Sequence, residues 1–187
     1  MDRHKARLVT KVFSQGEGID YTETFSHVAK MNSICLVLSL ATSFKWEVHQ
    51  MDVKSAFLHG DLHEEIYMEQ PLGFIQNNSS LVCRLRKSLY GLKQAPQACY
   101  AKMDRFLLDN GFSRCHSNNT IYTKKVGKSF TILVLYVDDL ILTSSDPNHI
   151  NRVNSRLKNK FEMTDLGHLH YFIGLQVLQS KEGITLS

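Results

Sequence analysis

The chain has 187 residues, of which 43% are hydrophobic and 21% charged, so it is long and apolar enough to build a globular core. Its formal net charge of +4 permits contact with a polyanion without demanding it. The four cysteines form no CxxC pair and have no histidine at zinc-binding spacing, which indicates reduced thiols of an intracellular protein. The chain shows no signal peptide and no apolar run of bilayer length, so we expect no membrane partner.

Basic residues concentrate in two strips, 2–11 and 84–93. Each strip has four lysines or arginines, with one acidic residue in the first and none in the second. Either strip alone is equally consistent with phosphate contacts and with a solvated face.

In the first half of the chain, the hydrophobic pattern predicts two helices among short strands. The helices are 31–44, buried nearly all round and capped by Asn32 or Ser33, and 96–110, which follows a turn at Tyr90-Gly91. The strands are 7–13, 47–53, 65–69 and 81–85.

The second half predicts a strand at 119–124, a hairpin at 129–143, an amphipathic helix at 150–161 with a cationic outer face, and an extended segment at 169–178. Strands in an antiparallel order with interspersed helices indicate an α+β fold, an antiparallel sheet with helices packed on one face. The pattern shows no convincing domain boundary.

Two adjacent aspartates, Asp138 and Asp139, lie inside the apolar run 130–144. A bare buried carboxylate is destabilising by several kcal/mol or more. Either a tight turn exposes the pair to water, for which aspartate is well suited, or a cation neutralises it. Both interpretations are open on this segment alone.

A third acidic residue, Asp52, ends the predicted strand 47–53. A strand-end aspartate is usually a turn residue, but beside the hairpin tip it would complete a set of three carboxylates. Such a set needs neutralisation, because each charge raises the pKa of the others. Two Mg²⁺ ions would provide it and would suit nucleotidyl transfer.

Several motifs, in the same order along the whole chain, resemble the reverse transcriptase of copia-type long-terminal-repeat retrotransposons. The most specific are SLYGLKQAP (88–96) and MDVKSAFLHGDL, which begins at Met51. Shorter matches are Lys5–Val9, Gly18–Tyr21, Phe25–Lys30, the remainder of 51–70, Tyr136-Val137-Asp138-Asp139 and Tyr171–Leu175.

The resemblance implies the fingers and palm of a right-hand polymerase spanning 1–187, with an upstream fingers strand, thumb, connection and RNase H absent. It implies RNA-directed DNA polymerase activity with two Mg²⁺ ions, Mn²⁺ being a possible substitute, on Asp52, Asp138 and Asp139. The partners would be an RNA or DNA template with its primer, dNTP, and the integrase and RNase H of a Pol polyprotein. The location would be a cytoplasmic particle or the nucleus.

Further roles follow from the same resemblance. Phe57 would exclude the 2′-hydroxyl of the incoming nucleotide. The other residues expected to bind dNTP are Lys5, Arg7, Gly91, Lys93 and Gln94. Those expected to contact template or primer are Tyr136, Pro96, Tyr171, Phe172 and Gly174.

Some positions depart from the family pattern. They are Val12, His27, Cys35, Cys99, Asn118-Asn119 and Ser144. None is an expected metal ligand. The alternative function is therefore a truncated, drifted remnant without catalysis that at most binds nucleic acid.

Two histidine pairs raise the question of another metal. His59 and His63 flank Gly60-Asp61, which breaks a helix, so we interpret them as loop residues. His168 and His170 would point to one face of a strand, and with no third ligand evident we interpret them as structural.

Overall fold

The computed structural model describes residues 7–21, 24–76, 80–180 and 182–187. Two compact units divide the chain, one from 1–26 and 56–103 and the other from 27–55 and 104–187. The helices are α1 (Met31–Phe44), α2 (Ala95–Asp109) and α3 (Pro147–Lys160). The strands are β1 (Val48–Val53), β2 (Tyr67–Glu69), β3 (Val82–Arg84), β4 (Ser113–Cys115), β5 (Asn118–Val126), β6 (Ser129–Tyr136), β7 (Asp139–Ser144), β8 (Met163–His168), β9 (Tyr171–Phe172), β10 (Leu175–Gln179) and β11 (Ile184–Leu186).

The main sheet lies in the second unit and, among the described residues, has six strands in the order β4-β5-β6-β7-β1-β8. Every neighbouring pair is antiparallel. Strand β6 is buried at five consecutive positions, 131–135, instead of alternating buried and exposed residues. Such a run is typical of a strand whose two faces are both covered.

Helices cover both faces of the main sheet, so the prediction that they pack on one face is wrong. Helix α1 shares a buried cluster with Val48, Val134 and Ile141 on one face. Tyr122 follows the clustered Ile121 in β5 and points to the opposite face, where its hydroxyl donates to Asp104 of α2 at 2.7 Å. Helix α3 contacts β6, β7 and β8 and contributes no residue to the α1 cluster.

Helix α1 has the predicted bounds but not the predicted cap or burial. Its N-cap is Lys30, and no side chain caps it, so neither Asn32 nor Ser33 has that role. One stripe is buried, whereas Leu36 is 58% exposed. A helix packed on one face of a sheet needs only one apolar stripe, which explains the difference.

Helix α3 begins three residues before its predicted start, because its true cap is Asp146. The Asp146 carboxylate accepts a hydrogen bond from Asn148 N at 3.0 Å and forms an ion pair with Arg152 at 3.2 Å. Proline at the first helical position follows the cap. Buried Ile150 and Leu157 anchor the helix on the sheet.

Other predicted elements hold in part. Residues 7–13 form no strand. Val9 makes a single bridge to Tyr90, and a 3₁₀ turn begins near the end of this range, at Val12–Ser14. The extended segment 169–178 is divided into β9 and β10. Strands β4, β8 and β11 were not predicted, and β8 lacks the apolar alternation that reveals a strand.

The first unit is built around a small apolar cluster and a two-stranded sheet of β2 and β3. The cluster centres on Ile66, Leu92 and Ala95, with Phe57 packed against it. Within the described ranges, no helix is long and apolar enough to span a bilayer.

The cap of α3 gives a test of the fold. Asp146→Ala is expected to lower the free energy of unfolding by about 1 kcal/mol, since it leaves a helix-terminal N–H without its acceptor. Asp146→Asn keeps an acceptor oxygen and should lose less. Urea unfolding followed by circular dichroism measures both, with Lys160→Ala at the exposed far end of α3 as the control. Equal losses in the alanine and asparagine variants would contradict the capping role.

Candidate active site

The β1–β7 ladder places Asp52 directly opposite Asp139. Asp138 occupies the turn that precedes β7, and its carbonyl oxygen accepts a hydrogen bond of 2.8 Å from Val53 N. This bond ties the hairpin tip to the end of β1. The structure therefore gathers all three expected carboxylate residues at one end of two neighbouring strands, and each is half-buried.

The hairpin tip has an unusual backbone. Tyr136 pairs with Asp139, so only Val137 and Asp138 form the connection, and Val137 has φ +52°. A positive φ at the first central position is a feature of the tight turns that match strand twist. A β-branched residue is disfavoured there by about 1–3 kcal/mol. The ladder on both sides therefore holds a strained turn that fixes the position of Asp138.

Burial and like charge together destabilise the ionised form of this site. Burial, and secondarily the charge of Asp52, raises the pKa of Asp139, while the hydrogen bond from Gln50 opposes the rise. Gln50 is 7% exposed and donates from Nε2 to Asp139 Oδ1 at 3.0 Å. Oxygen donors in a half-buried site with mutual repulsion are what a hard divalent cation neutralises, so the residues fit Mg²⁺.

Aromatic residues expected near a primer occupy the same unit as the carboxylates. The Tyr136 and Phe172 rings meet edge to face, with centroids 5.5 Å apart. Phe172 is 4% exposed, whereas Tyr171 is 63% exposed. Gly174 has φ +78° in the β9–β10 turn. Of the neighbouring residues Tyr171 and Phe172, only Tyr171 is therefore exposed, whereas the buried Phe172 packs against Tyr136.

The first unit contains the SLYGLKQAP segment, where internal contacts hold the expected dNTP residues. Lys93 Nζ donates to the Tyr21 hydroxyl at 2.8 Å. Gln94 is 2% exposed, and its amide bonds to Gln15 and to the Asp20 carbonyl. These contacts order the segment, and the nucleotide contacts of both residues stay predictions.

Gly91, an expected dNTP-binding residue, makes a close backbone approach to another segment of the chain. It has φ +91°, and a Cβ there would lie 2.6 Å from the Thr10 carbonyl oxygen. Thr10 N donates to the Tyr90 carbonyl at 2.8 Å, which holds the two segments together. Any side chain at this glycine would separate them.

Phe57, Arg7 and Tyr90 lie together in the first unit. The Phe57 and Tyr90 rings meet edge to face at 5.2 Å, and the Arg7 guanidinium carbon lies 5.2 Å from the Tyr90 ring centroid. Pro96 is the second residue of α2, and its carbonyl accepts from the Ser26 hydroxyl at 3.3 Å. Lys5 lies outside the described residues.

Sequence reasoning missed two residues that shape the site, Gln50 and Val137. Gln50 has a readable signal, because it precedes Asp52 by two positions and so shares its strand face. Val137 has none, since valine is a strand former and its left-handed backbone follows from the ladder.

Comparison with known proteins shows the family of the chain. The family described as reverse transcriptase (RNA-dependent DNA polymerase) matches residues 1–187. The chain is 47% identical over 181 residues to the retrovirus-related Pol polyprotein from transposon TNT 1-94 of Nicotiana tabacum, covering 96% of the chain and 14% of that protein. It is 42% identical to the Pol polyprotein from transposon RE1 of Arabidopsis thaliana, over 100% of the chain and 13% of that protein. No solved structure matches the chain significantly.

The α+β sheet and these matches define the class, and the chain belongs to the reverse transcriptase family of RNA-dependent DNA polymerases. Within it, the relatives named above are Pol polyproteins of copia-type retrotransposons, so the chain is a reverse transcriptase domain of that kind. It spans about one-seventh of the length of these relatives.

The raised pKa of Asp139 predicts a stabilising substitution. Folding disfavours the ionised carboxylate, so this residue's contribution to stability is favourable at low pH and is lost as pH rises through the folded-state pKa. Asp139→Asn should therefore raise the free energy of unfolding at pH 7 without divalent metal. The gain should shrink in acid and vanish below the ordinary pKa of 3.8.

Urea unfolding at a series of pH values in EDTA measures this difference. Asp109→Asn, at an exposed position of α2, is the matched control. A destabilised Asp139→Asn protein at pH 7 would show that the carboxylate is held by favourable contacts instead.

Proposed function

We propose that this domain is an RNA-directed DNA polymerase that adds dNTP to a primer 3′-hydroxyl on an RNA or DNA template. The single observation that carries the proposal is the register of β1 and β7, which sets Asp52 opposite Asp139 beside the Asp138 turn. The main sheet would be the palm, and the first unit would belong to the fingers. The domain would act within a Pol polyprotein that includes integrase and RNase H.

Asp52, Asp138 and Asp139 are the residues that would hold two Mg²⁺ ions, or Mn²⁺ as a substitute. When bound, the ions would acidify the primer 3′-hydroxyl and offset the charge of the transferring phosphate. The fit rests on carboxylate chemistry and on the destabilised charge of the site, since burial, and to a lesser extent the charge of Asp52, raises the pKa of Asp139.

The chain's own contribution is to fix the carboxylates before substrate arrives. Val53 N donates a hydrogen bond to the Asp138 carbonyl, and Gln50 Nε2 donates one to the Asp139 carboxylate. The buried strands on both sides prevent relaxation of these residues. Carboxylates fixed in this way would hold the metal ions without rearrangement of the chain at the moment of reaction.

Selection of deoxynucleotides is assigned to Phe57. The ring is positioned by Tyr90 and by the cluster of Ile66, Leu92 and Ala95. A fixed aromatic ring beneath the sugar would leave no room for a 2′-hydroxyl. Arg7 and Lys93 would supply positive charge for the triphosphate, and Lys5 and Gln94 complete the expected set.

Primer and template contacts are assigned to Tyr136, Tyr171 and Gly174, with Pro96 at the start of α2. Tyr171 is the exposed aromatic residue of this group and offers a stacking surface for a nucleotide. The buried Phe172 supports Tyr136 from behind.

The alternative, a remnant without catalysis, would retain only salt-sensitive nucleic-acid binding that ignores Mg²⁺ and dNTP. Three of the residues that depart from the family pattern form hydrogen bonds within the fold, which argues against random drift at these positions. His27 and Asn119, both departures, share a hydrogen bond of 3.0 Å. Ser144, a third residue that departs from the family pattern, forms a hydrogen bond of 2.9 Å with the hydroxyl of Thr131. The side chains at these three departures are thus hydrogen-bonded within the fold.

A segment exchange tests polymerase activity. We expect that the Nicotiana tabacum Pol relative, with its corresponding segment replaced by residues 1–187, extends a DNA primer on an RNA template. Asp138→Asn should reduce extension by at least about 100-fold, since it removes a carboxylate that would hold the metal ions.

Asp109→Asn is the control variant and should leave extension unchanged. If the exchanged protein extends no primer while the unmodified relative does, or if Asp138→Asn extends as well as the parent, the polymerase proposal is wrong and the remnant is favoured.

Phe57→Val tests nucleotide selection in the same exchanged protein. The smaller side chain should increase the use of ribonucleotides relative to deoxynucleotides by at least about tenfold, because a steric barrier to the 2′-hydroxyl is removed. Competition assays with matched rNTP and dNTP measure the ratio. A fall in both rates at an unchanged ratio would assign Phe57 to the core of its unit only.

A further inference from the structure

A cluster of metal-binding side chains lies outside the carboxylate site. Glu47, His49 and His168 each offer one ligand atom, and these three atoms all lie within 4.8 Å of one another. His49 of β1 is paired directly opposite His168 of β8, and the two ring centroids are 4.9 Å apart. Glu47 lies two residues before His49, and its Oε2 is 3.5 Å from His49 Nε2. His168 thus has the further ligands that sequence reasoning did not find.

A β-bulge creates this juxtaposition. The β1–β8 register shifts between Gln50 and Met51, so that Met51 faces Asp165 but Gln50 faces Gly167. Without the shift, His49 would face Gly167 instead of His168. Gly167 has φ +72°, and its N–H donates to Asp165 Oδ1 at 3.0 Å, which stabilises the bulge. The bulge therefore brings a second imidazole onto the first.

The donor types indicate the metal. Two imidazole nitrogens and one carboxylate oxygen form a ligand set that Zn²⁺ takes in proteins, with a fourth position left for water or another ligand. Ligand atoms of a tetrahedral zinc site lie about 3.3 Å apart, given bonds of about 2.0–2.1 Å. Binding would draw the ligand atoms closer than the 4.8 Å observed, and Glu47 and His168 are exposed, which leaves their side chains room to rotate.

Space for the fourth ligand exists beside the cluster. Glu47 and His168 line an open cavity of about 780 Å³ together with His170 and Glu182. A water molecule from this cavity would occupy the remaining position. The cavity thus leaves the cluster accessible from solvent.

The cluster is separate from the proposed polymerase site. His49 and Asp52 are three positions apart in one strand, so they point to opposite faces and lie about 10 Å apart along it. The ladder agrees, since His49 pairs with Leu142 and Asp52 pairs with Asp139.

We propose that Glu47, His49 and His168 bind one Zn²⁺ ion, which links the outer strand β8 to β1. The ion stabilises the second unit because its ligands come from β1, from the residue just before it and from β8, and unfolding would separate them. This site is independent of polymerase activity.

Zinc titration of the purified 187-residue chain tests the proposal. The expected result is one Zn²⁺ bound per chain and a higher thermal midpoint with the metal. His168→Gln and Glu47→Gln should each weaken binding by at least about 100-fold, because loss of a direct ligand exceeds the effect of losing a supporting contact. The midpoint of either variant should no longer respond to zinc.

His63→Gln and His116→Gln are the matched controls, since both histidines are exposed and lie outside the cluster. Co²⁺ serves as a spectroscopic probe, because the free cysteines would give thiolate charge-transfer bands that a nitrogen and oxygen site lacks. Circular dichroism verifies that each variant is folded. Because His168 and Glu47 are both exposed, the test does not depend on a single variant that fails to fold. Unchanged zinc affinity in both ligand variants, or thiolate bands with Co²⁺, would overturn the proposal.

Discussion

The pairing register between β1 and β7 is the constraint on which the rest of the structure depends. A slip by one residue would turn every side chain of β1 to the other face of the sheet. Val48 and Met51 are both fully buried, on opposite faces, and helices cover both sides. The register is therefore fixed by packing on two sides at once. The same register positions Asp52 against Asp139, and the bulged β1–β8 ladder positions His49 of the same strand against His168.

Several elements and the carboxylate residues could be predicted because their signals are local. Helix α1 has a long apolar run, β1 ends at a charged residue, and Asp138-Asp139 interrupts a hydrophobic hairpin. Strand β8 could not be predicted, because Met163–His168 is held by its pairing with β1 and not by its own alternation. Coverage of both sheet faces is also non-local, since it depends on where α2 and α3 lie after folding.

The carboxylate end of the sheet combines two local violations of ordinary folding rules. Val137 adopts a left-handed backbone that disfavours valine, and burial beside Asp52 raises the pKa of Asp139. Both are unfavourable to stability, and both persist because the surrounding ladder is complete. Such conflicts concentrate at functional sites, where geometry is selected over stability. Three further non-glycine residues have a positive φ outside the strands, namely Lys45, Ser55 and Ile173.

The outer strands of the main sheet also bear on behaviour in solution. Strand β4 has only three residues, and β8 is interrupted by its bulge and a left-handed glycine. Short or irregular borders offer few consecutive free N–H and C=O groups for another chain to extend. We therefore expect the apolar β6–β7 centre to be shielded from intermolecular strand addition, which favours a dispersed protein over fibrous aggregates.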